Sequence, residues 1–92
     1  MATLWRVDGT CEEFDIEHAD LVMLQEAVGG YVEYINVPGG ALICNEDGKM
    51  KNLSPNFMAT RMLKELFGPD LRIPTFLLGN VILVPSDEMK YL

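Results

Sequence analysis

The stretch VGGYVEYINVPGGALICNEDGKMKNL, residues 28–53, decides the fold that we predict for this 92-residue chain. Residues 31–37 alternate as a strand does, a Pro-Gly-Gly turn follows, and residues 41–45 return as the antiparallel partner. Gly29 is suited to the left-handed position that ends a helix, because glycine has no side chain to clash there. The stretch therefore predicts a helix end followed by a β-hairpin and a second polar turn.

Two further strands are predicted before this stretch, at residues 2–7 and 11–16, joined by an Asp-Gly turn. Residues 19–28 have the pattern of a short helix, with Glu17 and Asp20 beside its positive end. The apolar residues predicted to form its buried stripe are Leu21, Met23, Leu24, Ala27 and Val28.

A second helix is predicted after the stretch, with Ser54 as N-cap and Pro55 at the first helical position. Gly68 and Pro69 are expected to end it. Its polar face is predicted to carry Thr60, Arg61, Lys64 and Glu65. Its buried stripe is predicted to consist of Met58, Ala59, Met62, Leu63, Leu66 and Phe67.

Residues 75–85 form the most apolar segment and predict a central strand with both faces covered. Residues 86–92 form a tail that is docked or loose. We therefore expect one α+β domain over residues 1–92, with an antiparallel or mixed sheet of about five strands and two short helices. Two helices leave part of such a sheet uncovered, which favours a homodimer or higher homo-oligomer.

The charges are strongly polarised along the chain. Residues 1–47 carry a net charge of −9 and residues 48–92 carry +2, which together give −7. Direct nucleic-acid binding is disfavoured, because phosphates are neutralised by clustered Lys and Arg. An acidic surface is instead suited to a basic protein, or serves only to keep a small domain soluble. The acidic residues that we predict to contact a partner are Glu12, Glu13, Asp15 and Glu17.

The inventory of reactive residues is poor. His18 is the one histidine, and Cys11 and Cys44 are widely separated, so we expect two buried, reduced thiols and neither a metal nor another cofactor. Nucleophile elbows, phosphate loops and dinucleotide fingerprints are missing from the sequence, and we expect no enzymatic activity. No apolar run reaches the roughly 20 residues of a membrane span, and the N-terminus lacks a signal-peptide pattern, so we expect a cytoplasmic protein.

Several motifs in this order resemble a known family. Val28-Gly29-Gly30-Tyr31, then Asn45-Glu46-Asp47-Gly48-Lys49, then Leu53, Pro55 and Asn56 are similar to the domain of unknown function family 3846. The likeness covers about residues 24–84, and it departs from the family at Asn52, where a glycine is common. The resemblance implies an accessory protein of a phage, plasmid or other mobile element in a bacterial cell, without an established activity.

A polar group around the second turn and the second helix suggests a different function. Helix N-termini with nearby amides and cations are suited to an anion such as a nucleotide phosphate. The alternative is that the asparagines only hydrogen-bond the backbone of the turn and helix start. The candidate ligand residues are Asn45, Glu46, Lys49, Lys51, Asn56 and Arg61.

Three hypotheses of function follow from the sequence. The first is a non-catalytic protein that binds a host protein, such as a defence component, through the acidic surface. The second is a small-ligand binder that sequesters a nucleotide-like anion. The third is a structural protein that acts only through self-association.

Overall fold

A five-stranded antiparallel sheet forms the centre of the computed structural model, which describes residues 1–67 and 76–92. The predicted α+β class is thereby confirmed, and the sheet is antiparallel throughout. Its strands are β1 (Ala2–Trp5), β2 (Cys11–Phe14), β3 (Val32–Val37), β4 (Gly40–Asn45) and β5 (Val81–Pro85). The helices are α1 (Leu21–Val28), α2 (Phe57–Phe67) and a 3-10 helix at Ser86–Tyr91 that the sequence did not predict.

Some sequence predictions lie outside the described residues. They are the helix stop at Gly68 and Pro69, the strand start at Thr75, and the side chains of Leu66 and Phe67 in the predicted stripe of α2.

The strand order β2-β1-β5-β4-β3 places the last strand between two hairpins. Both hairpins form as predicted: Trp5 pairs with Cys11 in one, and Val37 pairs with Gly40 in the other. β5 pairs antiparallel with β1 on one side and with β4 on the other. The C-terminal strand therefore joins two locally formed units into one sheet.

Helices cover both faces of the sheet. Leu24 and Val28 of α1 pack with Ile43 and Ile82 on one face, where Met89 of the 3-10 helix also contacts the core. On the other face, Ala59 and Leu63 of α2 pack with a second cluster that includes Leu42, Leu77 and Val81. Burying these side chains supplies the main free energy that favours folding.

β5 itself is buried on both faces, since Val81, Ile82 and Val84 are at most 1% exposed. The central position predicted for this segment is thus correct. The argument that an uncovered face of this strand favours self-association is wrong, because the chain's own helices cover it. The oligomeric state stays a prediction.

Several element boundaries differ from the predictions. Residues 76–80 do not continue β5: Leu78 forms an isolated bridge with Pro55, and Gly79 turns the chain at a φ of 74°. The side chain of Asn80 accepts a hydrogen bond from the N–H of Val7 and donates one to the carbonyl of Ala27. These side-chain bonds fix the segment as a connection that the apolar pattern alone did not reveal.

The start of α2 is set by Asn56 and not by Ser54, so the predicted N-cap is wrong. The Asn56 side-chain oxygen accepts the N–H of Ala59 at 3.0 Å, as an N-cap does. Its side-chain nitrogen donates to the carbonyls of Trp5 and Gly79, each at 2.9 Å. The buried amide therefore connects the helix start to β1 and to the segment before β5.

Thr60, predicted on the polar face of α2, is also buried. Its hydroxyl donates to the carbonyl of Asn56 and accepts the N–H of Leu77. The hydroxyl thus satisfies backbone groups between α2 and the segment that precedes β5.

Replacing Asn56 by alanine should lower the free energy of unfolding by roughly 3 kcal/mol, measured by urea denaturation. A lost cap costs about 1 kcal/mol, and each of the two carbonyls left without a buried donor costs about 1 kcal/mol or more. Asn56→Asp keeps the acceptor for Ala59 but places a buried carboxylate oxygen against the two carbonyls, so it should destabilise the fold at least as much as alanine does. Wild-type stability of Asn56→Ala would contradict this role.

Asn52 occupies the position where glycine is common in the family that the sequence resembles. Its φ of 56° is the only positive value of a non-glycine residue in the described ranges. Asparagine tolerates this left-handed conformation better than other residues with a side chain, although glycine adopts it more readily. The backbone conformation therefore accounts for the departure from the family pattern.

Asn52→Gly should preserve stability, whereas Asn52→Ala should lower the free energy of unfolding by about 1 kcal/mol. The reason is the contact between a Cβ atom and the backbone in the left-handed region. Thermal denaturation of the two variants side by side measures the difference. Equal melting temperatures for the glycine and alanine variants would contradict the assignment.

Candidate functional site

The turn of the first hairpin is held rigidly by Asp8. Its carboxylate accepts hydrogen bonds from the Thr10 backbone N–H at 2.9 Å and from the Thr10 hydroxyl at 2.6 Å. The hydroxyl bond is the main reason why the pKa of Asp8 is lowered, since it stabilises the charged form. A negative charge is thus fixed at the tip of the β1–β2 hairpin.

The acidic edge, defined as Glu12, Glu13, Asp15 and Glu17, begins on β2, the outermost strand on this side. Glu12 pairs across from Leu4 and Glu13 from Thr3, so their side chains lie on opposite faces of the strand. Glu12 forms an ion pair with Arg6. Both acids are exposed and accessible from the open side of β2, but they do not share a face.

The loop after β2 carries the other two acids. Ile16 is buried between them and anchors the loop in the core, while Asp15 and Glu17 remain exposed. The Asp15 carboxylate lies 2.8 Å from Nδ1 of His18. This hydrogen bond and the charge of Asp15 raise the pKa of His18, with a smaller contribution from Glu17.

The first turn of α1 exposes three consecutive apolar residues, Leu21, Val22 and Met23, which we call the apolar turn. Their exposed fractions are 54%, 59% and 45%. Asp20 caps α1 by accepting the Met23 N–H at 2.9 Å. In the sequence it lies between the acidic edge and the apolar turn. The structure therefore places an uncovered apolar surface next to the carboxylate of Asp20.

Sequence reasoning missed this surface, because it assigned Leu21 and Met23 to the buried stripe. Only Leu24 and Val28 of α1 are fully buried. Neighbouring residues of a helix are separated by about 100°, so three in succession cannot all face one sheet. The run of three apolar residues at the helix start was the signal that could have identified the exposed turn.

The predicted ligand residues lie in different surroundings. Asn45 is buried at the end of β4, where it donates to the carbonyl of Val28 at 3.1 Å and accepts the N–H of Asp47 at 2.8 Å. Glu46 and Lys49 are exposed on the following turn. The amide of Asn45 thus satisfies backbone groups at the end of α1 and in the turn after β4.

Lys51 approaches the same helix end. A Cβ atom at Gly30 would lie 2.8 Å from the side-chain nitrogens of both Asn45 and Lys51, so only glycine leaves room for them. An ammonium group near the C-terminal end of α1 complements the negative end of the helix dipole. The position of Lys51 therefore has a structural reason that needs no ligand.

Asn56 and Arg61 belong to another environment. Asn56 is fully buried and its amide is bonded to the backbone, so it does not reach an external ligand. Arg61 is exposed and pairs with Glu65 at 3.1 Å along α2. The role of the six residues as a ligand site stays untested, and the geometry assigns both asparagines to the fold.

An open groove of about 510 Å³ lies beside α2. Phe57 and Phe76 meet edge to face there, with ring centroids 5.1 Å apart, and Arg61, Lys64 and Glu65 line the rim. Thr60 also lines the groove, but its hydroxyl is already bonded to the backbone. The groove therefore offers aromatic surface and exposed charges without a free buried polar group.

The thiols differ in their surroundings. Cys11 is free and exposed on β2, so the prediction that it is buried is wrong, whereas Cys44 is free and buried as expected. Burial raises the pKa of Cys44 to about 11, which keeps this thiol protonated at neutral pH. The reactive thiolate form is therefore scarce at Cys44.

Within residues 1–67 and 76–92, no group of three or more His, Cys, Asp and Glu side chains is placed to hold a metal ion. None of the helices in these ranges is long and apolar enough to cross a bilayer.

The geometry defines an α+β protein built on an antiparallel sheet, with carboxylates along the β2 edge and an exposed apolar turn at the start of α1. The sequence matches the model of the family described as Domain of unknown function (DUF3846) over residues 2–91 of the 92-residue chain. The chain therefore belongs to this family, which confirms the resemblance found in the sequence and extends it beyond residues 24–84. No curated protein and no solved structure matches the chain.

The pKa of His18 should lie above 6.5 when followed by NMR titration, and Asp15→Asn should lower it. Because the folded-state pKa is raised, the His18–Asp15 pair stabilises the fold at acidic pH, and this contribution is lost as the pH rises through that pKa. Glu65→Gln is a control, since Glu65 pairs with Arg61 on α2. An unchanged His18 titration in Asp15→Asn would contradict the pairing.

Proposed function

We propose that this protein is a non-catalytic accessory protein of a phage or other mobile element, which binds a basic host protein through the acidic edge and the apolar turn. The observation that carries the proposal is an exposed apolar turn at the start of α1, capped by the carboxylate of Asp20 and preceded in the chain by the acidic edge. Protein interfaces commonly combine an apolar centre with a polar rim. The acids would guide the encounter with a basic partner, and the apolar turn would be buried in the complex.

Two acids are especially suited to contact a partner. Glu13 and Glu17 are exposed and form no ion pair within the described residues, whereas Glu12 and Asp15 are paired with Arg6 and His18. An acid without an internal partner gains more from an incoming cation, because no existing ion pair is replaced. Glu17, in the loop that leads to α1, is therefore the first position to test, and Glu13, whose side chain lies on the α2 face of the sheet, is the second.

The family resemblance supports a bacterial host, and the charge split of the chain together with this resemblance supports the partner class. A protein of a mobile element acts inside the host cell, so the proposed location is the bacterial cytoplasm. A host defence component that carries a basic surface is the partner class that we favour. Binding alone would suffice to block such a component, so the proposal needs no catalytic residue.

The anion-binding alternative has weaker support. Two of its six residues, Asn45 and Asn56, are buried and bonded to backbone groups. A nucleotide would have to be held by the exposed Lys49, Lys51 and Arg61 alone, and Arg61 is paired with Glu65. We therefore place protein binding first.

The double substitution Glu13→Lys with Glu17→Lys should weaken partner binding about tenfold at low salt, since each exposed charge contact contributes up to about 1 kcal/mol. Capture of proteins from a bacterial lysate on the immobilised chain, followed by quantitative mass spectrometry, measures this effect. A basic protein should be retained by the wild type, released by salt, and lost in the double variant. Val22→Ser should weaken its retention to a similar degree at low and high salt.

The matched control is Glu46→Lys with Glu65→Lys, which changes the net charge equally at the β4 turn and on α2. This control should retain the same protein as the wild type. Equal loss in both double variants would show a response to net charge alone and would contradict a defined surface. The proposal would be contradicted if every lysate protein were retained equally by the wild type and by the double variant at Glu13 and Glu17.

A further inference from the structure

The two outer strands of the sheet differ in length and charge. β2 has four residues, two of which are glutamates, while β3 has six residues with Glu33 as its one charge. Charged residues and short strands protect an open sheet edge from pairing with another strand. No strand within the described ranges pairs with the outer side of β3, and this edge is less protected than that of β2.

The alternation of hydrogen-bonded positions between β3 and β4 shows which backbone groups of β3 face away from β4. The N–H of Glu46 donates to the carbonyl of Tyr31 at 2.8 Å, and a two-residue turn closes the hairpin between Val37 and Gly40. Because bonded and non-bonded positions alternate in antiparallel pairs, the odd-numbered residues of β3 bond to β4. The residues whose N–H and C=O groups face the open side are therefore Val32, Tyr34 and Asn36.

We propose that this open edge pairs with β3 of a second copy of the chain, antiparallel, with a two-fold axis at Tyr34. The two five-stranded sheets would then form one continuous sheet of twice the width. Each copy would satisfy its three outward N–H groups and three outward C=O groups through the other.

The side chains support this register. Tyr34 would face Tyr34 of the second copy, an aromatic cross-strand pair, and Glu33 would face Ile35 of the second copy. Shifting the strands so that Val32 faces Tyr34 of the second copy would place the two Glu33 carboxylates directly opposite each other. Like charges at that position are unfavourable, so the register centred on Tyr34 is preferred.

The charge distribution also favours a second copy at this edge. The fold places Asp8 and the acidic edge at the β2 side, whereas Lys49 and Lys51 balance Glu46 and Asp47 in the turn beside β3. Ten strands spaced about 4.8 Å apart would hold the two β2 strands about 43 Å apart. This separation is several times the Debye length of about 8 Å, so the acidic edges would hardly repel each other.

Apolar residues of β3 contact the core clusters on both faces of the sheet. Val32 packs against the core cluster below α1, and Ile35 and Val37 pack against the cluster below α2. Tyr34 remains 49% exposed. Pairing of two β3 strands would thus extend both cores and cover the open side of Tyr34.

Cysteine cross-linking tests the register directly. Tyr34→Cys, in a Cys11→Ser background that removes the exposed thiol, should form a disulfide-linked dimer on mild oxidation. Residues facing each other across a bonded pair have Cα atoms about 5.5 Å apart, within the range of about 4.4 to 6.8 Å that disulfides allow. Non-reducing electrophoresis measures the dimer fraction.

Asn36→Cys in the same background is the matched control, on the same strand and face. The two copies of this residue would be offset by four positions, or about 14 Å, and should form little dimer. Equal or stronger cross-linking of Asn36→Cys would overturn the register.

The wild-type chain provides a second readout that no substitution can disturb. Light scattering between about 1 μM and 1 mM should show the mass rising from 10.3 kDa toward twice that value. A monomer over the whole concentration range would overturn the proposal. A strand from a different protein would then be the remaining candidate to pair with β3. Because the test does not involve Glu13, Glu17 or Val22, its outcome is separate from that of the host-protein proposal.

Discussion

The buried amide of Asn56 is the interaction on which the arrangement of α2 and the sheet depends. One side chain accepts a hydrogen bond from Ala59 and donates to Trp5 and Gly79, while the backbone N–H of Asn56 donates to the carbonyl of Leu77. An asparagine can do this because its amide has both donors and an acceptor. The helix start, the first strand and the segment leading into the last strand are thus fixed at one point, although Asn56 is 51 residues from Trp5 and 23 from Gly79 in the sequence.

The end of α1 is held by a related arrangement. Asn80 donates to the carbonyl of Ala27, and Asn45 donates to the carbonyl of Val28. Carbonyls at the end of a helix have no partners within the helix, so side chains from elsewhere must satisfy them. The asparagines come from the end of β4 and from the residue before β5, which ties the helix end to two central strands. Asn45, at the start of the second turn, therefore has a structural explanation.

These long-range bonds explain what could be predicted from the sequence and what could not. The strands and both hairpins were predictable because alternation and turn residues are local signals. The start of α2 was not predictable, because Ser54 and Pro55 satisfy the local rules for a helix start. The observed start at Asn56 is instead fixed by hydrogen-bond partners 23 and 51 residues away in the sequence. The acids of the candidate surface were predictable from charge. The exposure of the apolar turn was missed, because periodicity assigns side chains to a face without showing how far the sheet extends beneath it, and only the run of three apolar residues signalled it.

The strand order gives the two outer edges of the sheet different charges. The first hairpin lies at one edge and the second at the other, because β5 inserts between β1 and β4. The net charge of −9 in residues 1–47 is therefore not one surface, since it spans both edges. Lys49 and Lys51 offset the acids of the second turn, so the acidic excess is concentrated beside β2. One edge is thus protected from strand pairing by carboxylates, while the other carries fewer charges to prevent pairing with a further strand.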